Sequence, residues 1–170
     1  DFCTWGAGVI HGNGVHAMKF RSNGHLLIGG AFQNAKDTGG DYICYWDGIN
    51  TALKSFEDLG GTGLNGSVST ISINLNGTII IGGNFTDAGG DDNADYVAEW
   101  HGNNWGALAA GGVDESVFEI YCTDSGEVYL GGFFYHAGGS MVADSIIKIV
   151  QGVYQALDID LPGVGLTSAI

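Results

Sequence analysis

Apolar and polar residues alternate in three well-separated stretches, "VHAMKF" from Val15, "VSTISI" from Val68 and "VFEIYC" from Val117. In the first, Met18 and Phe20 share a face opposite Lys19; Ile71 and Ile73 oppose Ser72, and Ile120 and Cys122 oppose Tyr121. A period of two predicts half-buried strands. Each stretch is followed by Asn23-Gly24, Asn76-Gly77 or Ser125-Gly126. That pair predicts a two-residue hairpin turn, because glycine accepts the positive φ the turn demands. Continuous apolar runs come next, "HLLIGG", "TIIIGG" and "EVYLGG", and they predict second strands covered on both faces. A third strand is predicted with Tyr42, Cys44 and Trp46 on one side, matched by Tyr96, Ala98 and Trp100. "SIIKIVQG" from Ser145 is a looser third copy, and short fourth strands lie in "TALKSF", "NWGALA" and "VYQALD".

The phrase therefore recurs three times. The first glycines of its doublets are Gly29, Gly82 and Gly131, spaced by 82 − 29 = 53 and 131 − 82 = 49 residues. Phe32, Phe85 and Phe134 keep step, as do Ala35, Ala88 and Ala137. Four antiparallel strands repeated at about 50 residues describe the blades of a β-propeller, since one such sheet buries its faces only by stacking on neighbours. The expected fold class is all-β, a propeller of four-stranded antiparallel blades with about three blades, at roughly 15–57, 68–109 and 117–157. In this scheme the glycine doublet ends an inner strand where backbones crowd, and the following phenylalanine fills the space between blades.

Three blades are fewer than the about four to eight of closed propellers. "TWGAG" within residues 1–10 reads as the last strand of a preceding blade, and residues 164–170 read as the first strand of a following one. The expectation is a segment of a longer array. A partial fourth blade made from both ends, or a ring completed by several chains, are the alternatives.

Composition agrees with many tight turns between short strands: there are 31 glycines and one proline in 170 residues. Nineteen acidic residues against five basic ones leave a net charge of −14, which argues against nucleic acid and anionic membranes as partners. No stretch of about 18 apolar residues exists, so no membrane insertion is expected. Cys3, Cys44 and Cys122 have no CxxC spacing, and the last two lie in apolar strands where cysteine acts as a small core residue.

The repeat resembles kelch units, with a glycine doublet, a Tyr and then a Trp, although Tyr42 and Tyr96 stand closer to their tryptophans than kelch spacing has it. It is more similar to the GGxF-type (kelch-like) propeller repeats of secreted bacterial, fungal cortical polarity-marker and phage virion proteins. Their wording is matched by Ile81-Gly82-Gly83-Asn84-Phe85-Thr86-Asp87-Ala88-Gly89 followed by Trp100-His101-Gly102. The resemblance covers about nine-tenths of the chain and implies architecture more than chemistry. In the third unit Ile149 and Val150 stand where the others carry a Trp pair, which predicts a looser blade edge.

Catalytic constellations are not in evidence. His11, His16, His25, His101 and His136 lack ligand spacing, and there is no GxSxG, P-loop or GxGxxG before a helix. A galactose-oxidase-like copper set of Tyr and His cannot be located. The densest chemistry is "FTDAGGDDNADY", residues 85–96, in which Asp87, Asp91, Asp92 and Asp95 with Asn93 offer hard oxygens suited to calcium; solvated loop acids are the competing reading. Tyr135 and His136 in "GGFFYHAGG" are candidates for a sugar-stacking platform. Asn65, Asn76 and Asn84 each open a glycosylation triplet, a pattern that Gly-rich hairpins also produce by chance.

The expected function is non-catalytic: a structural or binding propeller segment of an extracellular, cell-surface or virion protein, serving assembly, adhesion or receptor recognition through a protein or glycan partner. A carbohydrate-binding or carbohydrate-active propeller is the alternative, and an intracellular kelch-type interaction scaffold is the third.

Overall fold

The computed structural model describes residues 11–33, 35, 41–49, 53–56, 63–139 and 141–157. The predicted flanking strands at 1–10 and 164–170 lie outside them. Fourteen strands are described: β1 His11–Phe20, β2 Leu26–Gln33, β3 Ile43–Trp46, β4 Lys54–Ser55, β5 Ser67–Ile73, β6 Ile79–Asn84, β7 Val97–Trp100, β8 Trp105–Gly106, β9 Val117–Cys122, β10 Val128–Gly132, β11 His136–Ala137, β12 Met141–Val142, β13 Ile146–Val150 and β14 Val153–Ala156. They form three four-stranded antiparallel meanders, β1-β2-β3-β4, β5-β6-β7-β8 and β9-β10-β13-β14, with β11-β12 as a small extra hairpin. Among the described residues no helix is long and apolar enough to cross a membrane. The architecture is that of a partial β-propeller.

The first hairpin of each unit closes differently from the expected two-residue turn. Gly24 N–H donates to the Arg21 carbonyl while Arg21 N–H donates to His25, and the same pair of bonds recurs at 74–78 and 123–127. Three residues therefore lie between the bonded ends. The last of each trio, Gly24, Gly77 or Gly126, has φ between 80° and 87°, the left-handed position of a bulged three-residue loop.

Strand parity decides where the core sits. Leu27, Ile43 and Tyr45 of the first sheet pack with Val68, Ile71, Ile81 and Phe85 of the second. Ile80 and Val97, one residue out of phase, pack with Val117, Ile120, Leu130 and Phe134 of the third. Phe85 and Phe134 thus fill the spaces between neighbouring sheets, as their position after the glycines predicts. Phe32 instead joins Ile28, Cys44 and Leu53 in a smaller cluster confined to the first sheet.

The two glycines of each doublet do different work. A Cβ on Gly29 would lie 2.7 Å from Val68 Cγ1, and one on Gly82 would lie 2.6 Å from Val117 Cγ1, so the first glycine makes room for the next sheet's leading valine. A Cβ on Gly30, Gly83 or Gly132 would instead strike the carbonyl oxygen of Gly14, Ser67 or Ser116, in or just before the neighbouring strand of its own sheet. The second glycine also donates its N–H to residue 42, 96 or 145, whose own N–H returns to Phe32, Phe85 or Phe134.

That loop residue corrects the predicted faces of the third strands. Tyr42 and Tyr96 have φ of 63° and 60°, and Ser145 has 71°. One left-handed residue before a strand inverts the parity on which the alternation rests. Tyr42 packs on the first interface while Cys44 and Trp46 belong to the opposite cluster. Tyr96 faces the third sheet, whereas Ala98 and Trp100 face the first. The third sheet's edge is not the looser one either: β14 pairs four residues with β13, against two for β4 and for β8. Ile149 is buried in the tryptophan's place and β-branched residues suit that surface.

Candidate functional site

The acidic loop after β6 is built from backbone requirements. Asp87 adopts φ 52° and opens a single 3-10 turn, Ala88–Gly90, inside which Gly89 has φ 68°. Turning the chain this sharply leaves amides without strand partners, and carboxylates supply the acceptors. Asp95 Oδ1 accepts from the Asp87 amide at 2.8 Å. Asp91 Oδ1 accepts from the Asn93 amide at 3.0 Å, and its Oδ2 from the Ala107 amide at 3.0 Å, pinning the loop to β8's far end. The Asn93 and Ala107 amides, outweighing a small desolvation, hold the Asp91 carboxyl below its ordinary pKa. Asn65 clamps the start of the loop, giving its amide N–H to Thr86 Oγ1 and accepting from the Thr86 backbone N–H.

The four candidate calcium ligands are near one another in sequence but are not gathered into a cage. Asp91 and Asp95 are turned to different amides, and Asp87 and Asp92 are exposed. Among the described residues no group of three or more His, Cys, Asp or Glu side chains is placed to hold a metal ion.

The loop after β6, the stretch joining the second and third units and the His136 loop line an open cleft of about 520 Å³, which includes Asp92, Asp95, Asp114 and His136 together with the backbone of Gly111 and Gly112. Asp114 is a functional-looking residue that sequence reasoning did not single out. Its Oδ1 accepts from the Tyr135 and His136 amides at 2.8 and 2.9 Å, and its Oδ2 meets His136 Nδ1 at 2.7 Å. Desolvation pushes this carboxyl up, but the His136 amide and ring and the Tyr135 amide outweigh it and leave its pKa below the ordinary carboxylate value. A lone aspartate 21 residues before the loop it ties carries no local signal, because the pairing follows from the Val113–Ala137 bridge between the units.

Tyr135 and His136 are both exposed, and Asp114 holds the His136 ring at the acidic cleft. Phe118 and Phe133, also exposed, meet edge to face with ring centroids 4.7 Å apart. The third unit therefore carries an exposed aromatic pair, and its His136 borders an electronegative cleft. Cys44 is fully buried, and burial pushes its thiol up to about 12, which keeps it unreactive; Cys122 is partly buried and raised by desolvation as well.

The profile of the Rax2 C-terminal beta propeller domain matches residues 11–100, just over half of the 170-residue chain. The chain belongs to this family. The matched span takes in the whole first sheet and three strands of the second, so the Rax2-type match and the meander topology describe the same fold. Of the groups whose repeats the sequence resembles, the fungal polarity-marker one is supported; nothing bears on the phage or bacterial ones. No curated protein matches the chain.

Proposed function

We propose that this Rax2-type propeller is a non-catalytic structural and binding segment of an extracellular or cell-surface protein, and that it presents the Phe118–Phe133 side of its third unit to a partner on that surface. One observation carries the reading: the loop carboxylates with the most chemistry in them, Asp91, Asp95 and Asp114, accept hydrogen bonds from backbone amides. Groups committed to holding loops in shape are scaffold, not acid–base catalysts, since a general acid or base must reach a substrate proton. The exposed aromatic pair Phe118–Phe133 is the kind of surface that recognition uses, because rigid rings bury much area for little lost entropy.

The test is retention of the labelled chain on isolated cell-envelope material, comparing wild type with a Phe118→Ser, Phe133→Ser double variant. Retention that falls at least tenfold in the variant, with an unchanged circular-dichroism spectrum, supports the reading. Equal retention, or none by either chain, counts against it. A glycan array run with Tyr135→Ala and His136→Ala separates sugar recognition from protein recognition.

A further inference from the structure

Three Asn-x-Ser/Thr triplets, at Asn65, Asn76 and Asn84, have the wording of N-glycosylation acceptors, and the fold puts them to different uses. Asn65 is committed to the acidic loop. Its Nδ2 donates to Thr86 Oγ1 at 2.9 Å, and its Oδ1 accepts from the Thr86 amide at 2.8 Å. A glycan is carried on Nδ2, so modification would replace a hydrogen on the nitrogen that clamps Thr86 and set a bulky group against that residue. The triplet at Asn84 is built into the same joint. Asn84 ends β6, paired with Ser67; Phe85 is sealed in the core, and Thr86 Oγ1 is the atom that Asn65 holds.

Asn76 has no such duty. It lies in the loop between β5 and β6, where Asn74 Oδ1 accepts from the Asn76 and Thr78 amides, each at 3.0 Å, and Gly77 N–H donates to the Asn74 carbonyl. The turn is thus held without the Asn76 side chain, which is exposed and, among the described residues, makes no hydrogen bond. The matching loops carry Asn23 and Ser125 at that place with the same backbone bonds, so the repeat does not require an asparagine there. Two positions on, they have His25 and Glu127, whereas the second unit has the hydroxyl of Thr78. Asn76 also stands at the rim of a second open cleft, about 410 Å³, which Asn74, Glu99 and Gln151 line together with Ala107 and Val128. Polar groups beside small apolar patches suit a sugar ring, whose hydroxyls and C–H faces ask for both.

We infer that Asn76 is an N-glycosylation site and that the first sugar of its glycan lies along this cleft, against the turn at Gln151. The inference rests on the extracellular reading above, because transfer takes place on chains that have left the cytosol. The donor is an oligosaccharide on a polyprenyl pyrophosphate. Asn76 Nδ2 bonds to the anomeric carbon of the first sugar as that carbon's bond to the pyrophosphate oxygen breaks. The bonding pair leaves with the pyrophosphate, and one amide proton passes to a base of the transferase.

The test is peptide mapping by mass spectrometry, with glycans released enzymatically in isotopically heavy water so that each modified asparagine is marked. It is run on the protein purified from the cells that make it and on the full chain secreted from a yeast host behind a cleavable signal. The expected result is a glycan at Asn76 in both, at an occupancy at least tenfold above Asn65 and Asn84. Thr78→Val and Asn76→Gln should each abolish it without changing the circular-dichroism spectrum. The Gln151 and Gly152 amides should exchange hydrogen more slowly in the glycosylated chain than in Asn76→Gln; equal exchange overturns the seat in the cleft. A host chain bare at Asn76, or occupied chiefly at Asn65 or Asn84, overturns the site and leaves the extracellular reading standing. A host chain modified at Asn76 beside a bare native protein overturns the site's use and counts against the extracellular reading as well.

Discussion

Replacing Gly82 by alanine tests the inter-sheet packing directly. The new Cβ would lie 2.6 Å from Val117 Cγ1 and 3.0 Å from Thr70 Cγ2. Ordinary carbon contacts sit at about 3.5–4.0 Å, so Val117 must retreat by about 1 Å within a core that has no slack. Overpacking of this kind costs about 1–3 kcal/mol. Removing a strand glycine returns about 0.5–1 kcal/mol by restricting the unfolded chain. The net expectation is a loss of up to about 2.5 kcal/mol, or several degrees in Tm at about 2–4 °C per kcal/mol for a chain of this size. Gly131→Ala is the control. With nothing within 4 Å of its Cβ, it should be neutral or stabilising by up to about 1 kcal/mol. Urea unfolding with constant m reads both. A Gly82→Ala, Val117→Ala double variant should cost less than the sum of its parts, because the smaller side chain accepts the new methyl. Equal effects at 82 and 131, or strict additivity of 82 with 117, would refute the idea that the first glycine exists to admit the next sheet's valine.

Other consequences can be measured on the same chain. Tyr154 Oη donates to the Gly111 carbonyl at 2.6 Å in a buried setting, so Tyr154→Phe should cost about 1–2 kcal/mol in urea unfolding; no change would show that the bond is replaced by water. Burial raises the Tyr154 phenol, so its contribution is full below the unfolded value of about 10 and is lost as pH rises through the higher folded value; the Phe variant should show a flatter alkaline limb. In a Cys3→Ser background, a thiol reagent at pH 8 should modify Cys122 well before Cys44, with Cys44 reacting only on unfolding; equal rates would contradict the burial assigned to Cys44. Asp114→Ala should speed hydrogen exchange at the Tyr135 and His136 amides. Because the folded Asp114 pKa is lowered, its contribution is present above about pH 4 and lost as pH falls through the folded value, so the variant's acid limb should be shallower; identical acid limbs would remove Asp114 from the loop's support.

The repeat was legible in the sequence because its signals are local. Alternation in "VSTISI", the turn glycines and the phenylalanine after each doublet report backbone demands made within a few residues, and the sheets follow them. The acidic loop was legible as a concentration of oxygens but not as a use of them. Whether Asp91 binds a cation or an amide depends on Ala107, 16 residues away across the loop. Asp114 was invisible for the same reason.

Parity was the other thing that local reading could not supply. Tyr96 belongs by spacing with Ala98 and Trp100, yet one left-handed backbone residue sends it to the opposite interface. Nor does the doublet, identical in each copy, announce that its first glycine answers to another sheet's side chain and its second to its own sheet's backbone. The chain by itself determined which segments extend, where they turn and how often the unit recurs, since sterics and periodicity act between near neighbours. Only the tertiary structure decided what each unit meets, and so which of three equivalent positions is buried and which is bare, because burial is a property of the neighbour as much as of the residue.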